Sequence, residues 1–117
     1  MGFLDVFKTT AETSEHTLNP ALKSKYYKAN YKAVKEAILA YAKERKLRVE
    51  HVDDDHHELF IKGRKFHIIV TVLQLKPTKT SVDIKVQKYS FIGLNKPFKE
   101  IKMLYRYLDT HLTQVLQ

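Results

Sequence analysis

The chain has 117 residues, with 21 lysines and arginines against 13 aspartates and glutamates (net +8), 44% hydrophobic residues and no cysteine. That is enough chain for one core and too apolar for disorder, and it excludes a disulfide framework, thiol catalysis and cysteine-ligated zinc. No apolar run approaches the ~18–20 residues needed to cross a bilayer. MGFLDVFKTT lacks the basic start and apolar run of a secretory signal, and Val6 stands where N-myristoylation wants a hydroxyl, so a cytoplasmic location is expected.

The charge is uneven. Residues 1–46 carry +4, residues 47–75 carry −1 and residues 76–117 carry +5. An acidic centre thus sits between two basic flanks, which favours loose association with polyanions without specifying one.

In chain order, residues 1–19 read as a mobile or docking lead-in, and 20–117 as a single domain. Phe3, Leu4 and Phe7 would share a face of a short helix, and KTTAETSEHTLN after them is polar and aperiodic. Ser24–Ala29 reads as a short strand because Tyr26 and Tyr27 suit a pleated surface, although Asn19-Pro20 is also a fair helix start. From Asn30, a good N-cap, Tyr31, Val34, Ile38 and Tyr41 recur at helical spacing. Lys32, Lys35, Glu36 and Lys43 lie on the other face.

The centre alternates in twos. A three-residue loop at Asp53–Asp55 sets His51 against His57, Val49 against Leu59 and Leu47 against Ile61. A Gly63-Arg64 turn, with glycine supplying positive φ, sets Ile61 against Phe66 and Leu59 against Ile68. An odd-length loop around Lys76-Pro77-Thr78 returns Val82, Ile84 and Val86 to the face that Phe66, Ile68, Val70 and Val72 occupy. Three turns agreeing on one buried face predict a four-stranded antiparallel meander. After Asn95-Lys96-Pro97, a helix start, Phe98, Ile101, Leu104, Tyr105, Leu108 and Leu112 mark a second amphipathic helix. Both helices should lie on the sheet's apolar face. The expectation is an α+β two-layer sandwich of order β-α-β-β-β-β-α, in which the first strand is the two-tyrosine segment, or α-β-β-β-β-α if that segment is not a strand.

Four kinds of chemistry deserve weighing. HVDDDHHE places His51, His57, Asp53 and Asp55 near one another, and imidazole with carboxylate suits zinc, nickel or manganese. Against this, adjacent His56 and His57 point to opposite faces of a strand, and aspartates serve tight turns. The stretch reads as a solvated corner, with no metal or cofactor expected. Ser14, Ser24, Ser81 and Ser90 lie in no nucleophile elbow, and His67 beside Glu58 is a common surface pairing, so no enzyme is expected. Lys25, Lys28, Lys32, Lys35, Lys99, Lys102 and Arg106 line helical faces where nucleic acid could bind, with Tyr26, Tyr27 and Tyr89 to stack bases. Finally, Phe60, Ile69 and Leu73 should emerge on the outer sheet face among Arg48, Glu58, His67, Thr71 and Lys85. A half-apolar face suits a protein or peptide partner or a second copy, with Phe60, His67, Ile69 and Leu73 as contacts, unless Phe3 and Phe7 of the lead-in cover it.

YYKANYKAV, FHIIVTV, TSVDI and LYRYLD together resemble a family of small uncharacterised bacterial cytosolic proteins from low-GC Gram-positive organisms. The resemblance implies a strand-helix-meander-helix layout and a cytosolic home, and no activity, cofactor or site residue. The working expectation is a non-catalytic binding or protein-interaction module acting through the outer face, with polyanion binding as the alternative.

Overall fold

The computed structural model describes residues 7–13, 23–90 and 98–115. In chain order the elements are β1 (Phe7–Glu12), β2 (Lys25–Tyr27), α1 (Tyr31–Glu44), β3 (Arg48–Asp53), β4 (Glu58–Gly63), β5 (Phe66–Lys76), β6 (Lys79–Ser90), α2 (Phe98–His111) and β7 (Gln114–Val115). The strands form one antiparallel sheet in the order β3-β4-β5-β6-β2-β7, and β1 also pairs with β6. The architecture is α+β, as expected, with more strands than the meander supplies. No helix among the described residues is long and apolar enough to cross a membrane.

The inner face is the one the alternation predicts. Leu59, Ile61, Ile68, Val70, Val72, Val82, Ile84 and Val86 are all buried against Val34, Ile38, Tyr41 and Ala42 of α1 and Ile101, Leu104, Tyr105 and Leu108 of α2. Each such aliphatic side chain contributes about 1.5–3 kcal/mol by leaving water. The helices run antiparallel, since Tyr41 meets Tyr107 while Arg45 reaches Met103. Asn30 caps α1 as predicted, its side chain accepting from Ala33 N at 2.8 Å. At the other end Lys46 N donates to Lys43 O and Leu47 N to Ala42 O, a Schellman closure that places Lys46 at φ 57.

Two strands lie outside the predicted order. Strand β6 spans twelve residues, and β2 pairs with only Thr80–Val82 on its second edge. The main-chain groups from Lys85 to Ser90 are taken up by β1, which runs end to end with β2 along that edge. Phe7–Glu12 is therefore a strand in the plane of the sheet, and not a cover over its outer face. Phe3, Leu4 and residues 14–19 of the proposed lead-in lie outside the described residues. Strand β7 closes the far side of β2 in the same way, Tyr26 pairing with Val115.

Thr13, just after β1, and Ser24, just before β2, are held by one carboxylate. The Thr13 hydroxyl donates to Asp83 at 2.8 Å and accepts from Ile84 N at 2.7 Å, and the Ser24 hydroxyl donates to the same Asp83 oxygen.

Three predicted turns shift. The first hairpin loop is residues 54–57, and a bulge at Glu50 breaks the β3–β4 register, so that Val49 pairs with Ile61 but His51 pairs with Phe60 and Val52 with Leu59. His51 therefore faces outward and does not oppose His57. The second loop is Arg64-Lys65, with Gly63 opposite Phe66, Ile61 opposite Ile68 and Leu59 opposite Val70. The residue with positive φ is Lys65 (φ 67), not Gly63. Gly63 is needed for space, because the Phe66 ring lies where a β-carbon would stand. In the third hairpin the turn is Pro77-Thr78 with a shift at Leu75, and Val82, Ile84 and Val86 still return to the face of Val72 because the extra residue restores the odd count.

Candidate functional site

Antiparallel pairing fixes more than which face a residue takes; it also aligns residues into rows across strands. On the face away from the helices, Arg48, Lys62, His67 and Gln87 form one row over β3, β4, β5 and β6. The next row is His51, Phe60, Ile69 and Lys85. The third is Asp53, Glu58, Thr71 and Asp83. A basic band and an acidic band thus flank an apolar centre.

That centre is concave. Phe60 and Ile69, directly paired and half-buried, sit in a shallow depression of about 260 Å³ walled by Glu50, His67 and Gln87. The His51 ring lies against Phe60 with centroids 5.7 Å apart. The bulge builds this wall: the extra residue brings Glu50 to the depression beside the row that His51 shares with Phe60. Leu73 is 45% exposed but lies beyond the acidic row, next to Ser81. Of the four predicted contacts, Phe60, His67 and Ile69 are therefore brought together and Leu73 is set apart. Glu50 and Gln87 were missed. Glu50 had a signal, since Val49 and Val52 are three residues apart where an unbroken strand would bury every second residue.

The DDDHHE corner is held by its own hydrogen bonds. Asp53 accepts from Asp55 N at 3.1 Å and His56 N at 3.0 Å, and its second oxygen lies 2.8 Å from His56 Nδ1. These bonds hold the Asp53 carboxyl below its ordinary range. Asp54 takes the Tyr31 hydroxyl at 2.6 Å and the Lys35 ammonium at 3.0 Å, which lowers its pKa and ties the corner to α1. Burial, reinforced by Asp54, pushes the Tyr31 phenol up to about 12. His57 stands at φ 59 with its ring edge-on to Tyr31 at 5.5 Å. The four metal candidates separate: His51 faces out with Phe60, His57 turns to α1, Asp53 caps the turn and Asp55 is exposed. Among the described residues no three such side chains gather around a common point.

Nor are His67 and Glu58 neighbours. His67 pairs with Lys62 and Gln87 and Glu58 with Thr71, leaving the Phe60–Ile69 row between them.

The basic residues divide by what they already do. Lys25 is paired with Asp109 at 2.7 Å and Lys35 with Asp54, whereas Lys28, Lys32, Lys99, Lys102 and Arg106 are exposed. Tyr26 and Tyr27 are 4% and 0% exposed and present no stacking surface; the Tyr89 side chain lies outside the described residues. Where α1 ends beside α2, Tyr41, Glu44, Arg45, Met103, Arg106 and Tyr107 line a second depression of about 250 Å³. Arg45 lies over the Tyr41 ring at 5.8 Å, and Tyr107 stacks on His111 at 4.0 Å.

Comparison with family models, with curated proteins and with solved structures gave no match.

Proposed function

We propose that the chain is a non-catalytic binding module that takes a protein partner on its outer sheet face. The observation that supports this is the Phe60–Ile69 pair in its depression, on the side of the sheet opposite both helices. A concave apolar centre with charged rims is the anatomy of a protein contact. A cytosolic home, as the resemblance implies, belongs to the same proposal. The test is binding of an environment-sensitive hydrophobic dye to the folded protein. Native protein should enhance dye fluorescence, and Phe60→Ser with Ile69→Ser should lower that signal several-fold while melting stays cooperative. Wild-type protein that leaves the dye dark would end the proposal.

A second reading has its own support in the Arg45–Arg106 depression, which has aromatic walls and exposed Lys99 and Lys102 on the same helix as Arg106. It makes the helix layer a polyanion surface. Retention on heparin and on mixed oligonucleotides, falling steeply with salt, is its expected signature. Arg45→Glu with Arg106→Glu should abolish that retention, and wild-type protein that flows through at low salt removes the reading.

A further inference from the structure

We infer that the partner for the outer face is a second copy of this chain, docked about a two-fold axis that runs along the Phe60–Ile69 row. This rests on the proposed binding role of that face and adds its occupant.

The order of the bands selects the axis. Two identical faces can meet about an axis along the strands or about one across them. An axis along the strands lays each band on its own copy, with Lys62 against Lys62 and Glu58 against Glu58. An axis along the central row reverses the strand direction and lays the basic band on the acidic one. On β4, Lys62 and Glu58 lie equally far from Phe60 on either side, so Lys62 of one copy meets Glu58 of the other. On β5, His67 meets Thr71, and on β6, Gln87 meets Asp83, by the same counting about Ile69 and Lys85. Phe60 and Ile69 then fall on their own copies at the centre. Packed sheets are turned by about 30° from their twist, so the match is tightest on the middle strands β4 and β5 and loosens outward. Two features oppose it. Glu50 adds an acid at the margin of the basic band, and Lys85, which pairs on its other side with Glu12 of β1, approaches its own copy on β6. Lys85 lies one strand away from the β4–β5 centre, whereas Glu50 borders the Phe60–Ile69 depression itself.

Four strands about 4.8 Å apart and three rows about 6.8 Å apart give a flat footprint of roughly 400 Å². That is below the roughly 800 Å² per partner of a standard interface, so the dimer should be weak and concentration-dependent.

The experiment is sedimentation equilibrium from about 1 μM to about 1 mM, the range a small interface requires. Lys62→Glu and Glu58→Lys each place like charges in register and should weaken the homodimer about tenfold or more. Mixed in equal amounts, the two variants should restore wild-type association, because each then meets its opposite, and the double variant should self-associate as well. Wild-type protein that stays monomeric throughout overturns this inference, yet leaves the binding face itself intact if the dye still binds. Variants that fail to recover on mixing overturn the axis.

Discussion

Replacing Tyr27 by phenylalanine removes one oxygen from the middle of the fold and leaves the rest of the ring. That ring is fully buried on β2, and its hydroxyl donates to Asp109 Oδ1 on α2 at 2.8 Å. The other Asp109 oxygen is held by Lys25 at 2.7 Å, with both side chains of that ion pair partly open to water (26% and 35%). A hydrogen bond to a charged acceptor contributes about 1.5–3 kcal/mol. Asp109 retains Lys25 and some water when the phenol is gone, so the lower end applies, about 1.5 kcal/mol. An unfolding entropy near 2.1 cal/mol/K per residue over 117 residues makes that a Tm loss of about 6 °C. Asp109→Ala should cost more, about 2–3 kcal/mol, because it strands a buried hydroxyl. Asp109→Asn keeps an acceptor for the phenol and loses a half-exposed ion pair, so it should cost about 1 kcal/mol or less. Urea unfolding, compared at constant m, measures all three. A Tyr27→Phe variant within about 0.3 kcal/mol of wild type, or Asn costing as much as Ala, would refute the reasoning.

Gly63→Ala should destabilise by about 1–3 kcal/mol, read by urea unfolding, since the added methyl must displace the Phe66 ring; pairing it with Phe66→Ala should erase most of that penalty. Lys46→Gly should stabilise by about 0.5–1 kcal/mol in the same assay, because a lysine now holds the left-handed position that ends α1. Burial pushes the Tyr27 and Tyr105 phenols far above their ordinary 10.0, which favours the neutral form in the folded state. The stability from these groups is therefore complete below pH 10 and is lost as pH climbs beyond it, so phenolate absorbance should show these two tyrosines ionising only as the chain unfolds.

The helices were legible because burial leaves a helical rhythm, and Val34, Ile38 and Tyr41, then Ile101, Leu104, Tyr105 and Leu108, keep it. The inner face of β4, β5 and β6 was legible for a related reason: loop errors of an even total leave alternation untouched. Gly63 shows how this works, since its turn was displaced by one residue and Ile61 still faces a buried partner. Strands β1 and β7 left no such trace. They are recruited by main-chain groups left open on β6 and β2, and a polar segment such as Phe7–Glu12 satisfies those as well as an apolar one. The outer-face residues Phe60, His67 and Ile69 followed from alternation alone. Their rows did not, because rows depend on exact pairing, and the bulge at Glu50 moved His51 from opposite His57 to opposite Phe60.

The same bulge has a bearing on how copies of the chain can meet. Strand β3 ends the ordered path of the sheet, and an outermost strand with a straight run of unused main-chain groups invites pairing that continues from molecule to molecule without closing. The kink at Glu50 interrupts that run half-way, and charges at Arg48 and Asp53 mark either end of it. Growth along this edge is thereby discouraged, whereas the two-fold contact proposed for the broad side of the sheet would close on itself and stop.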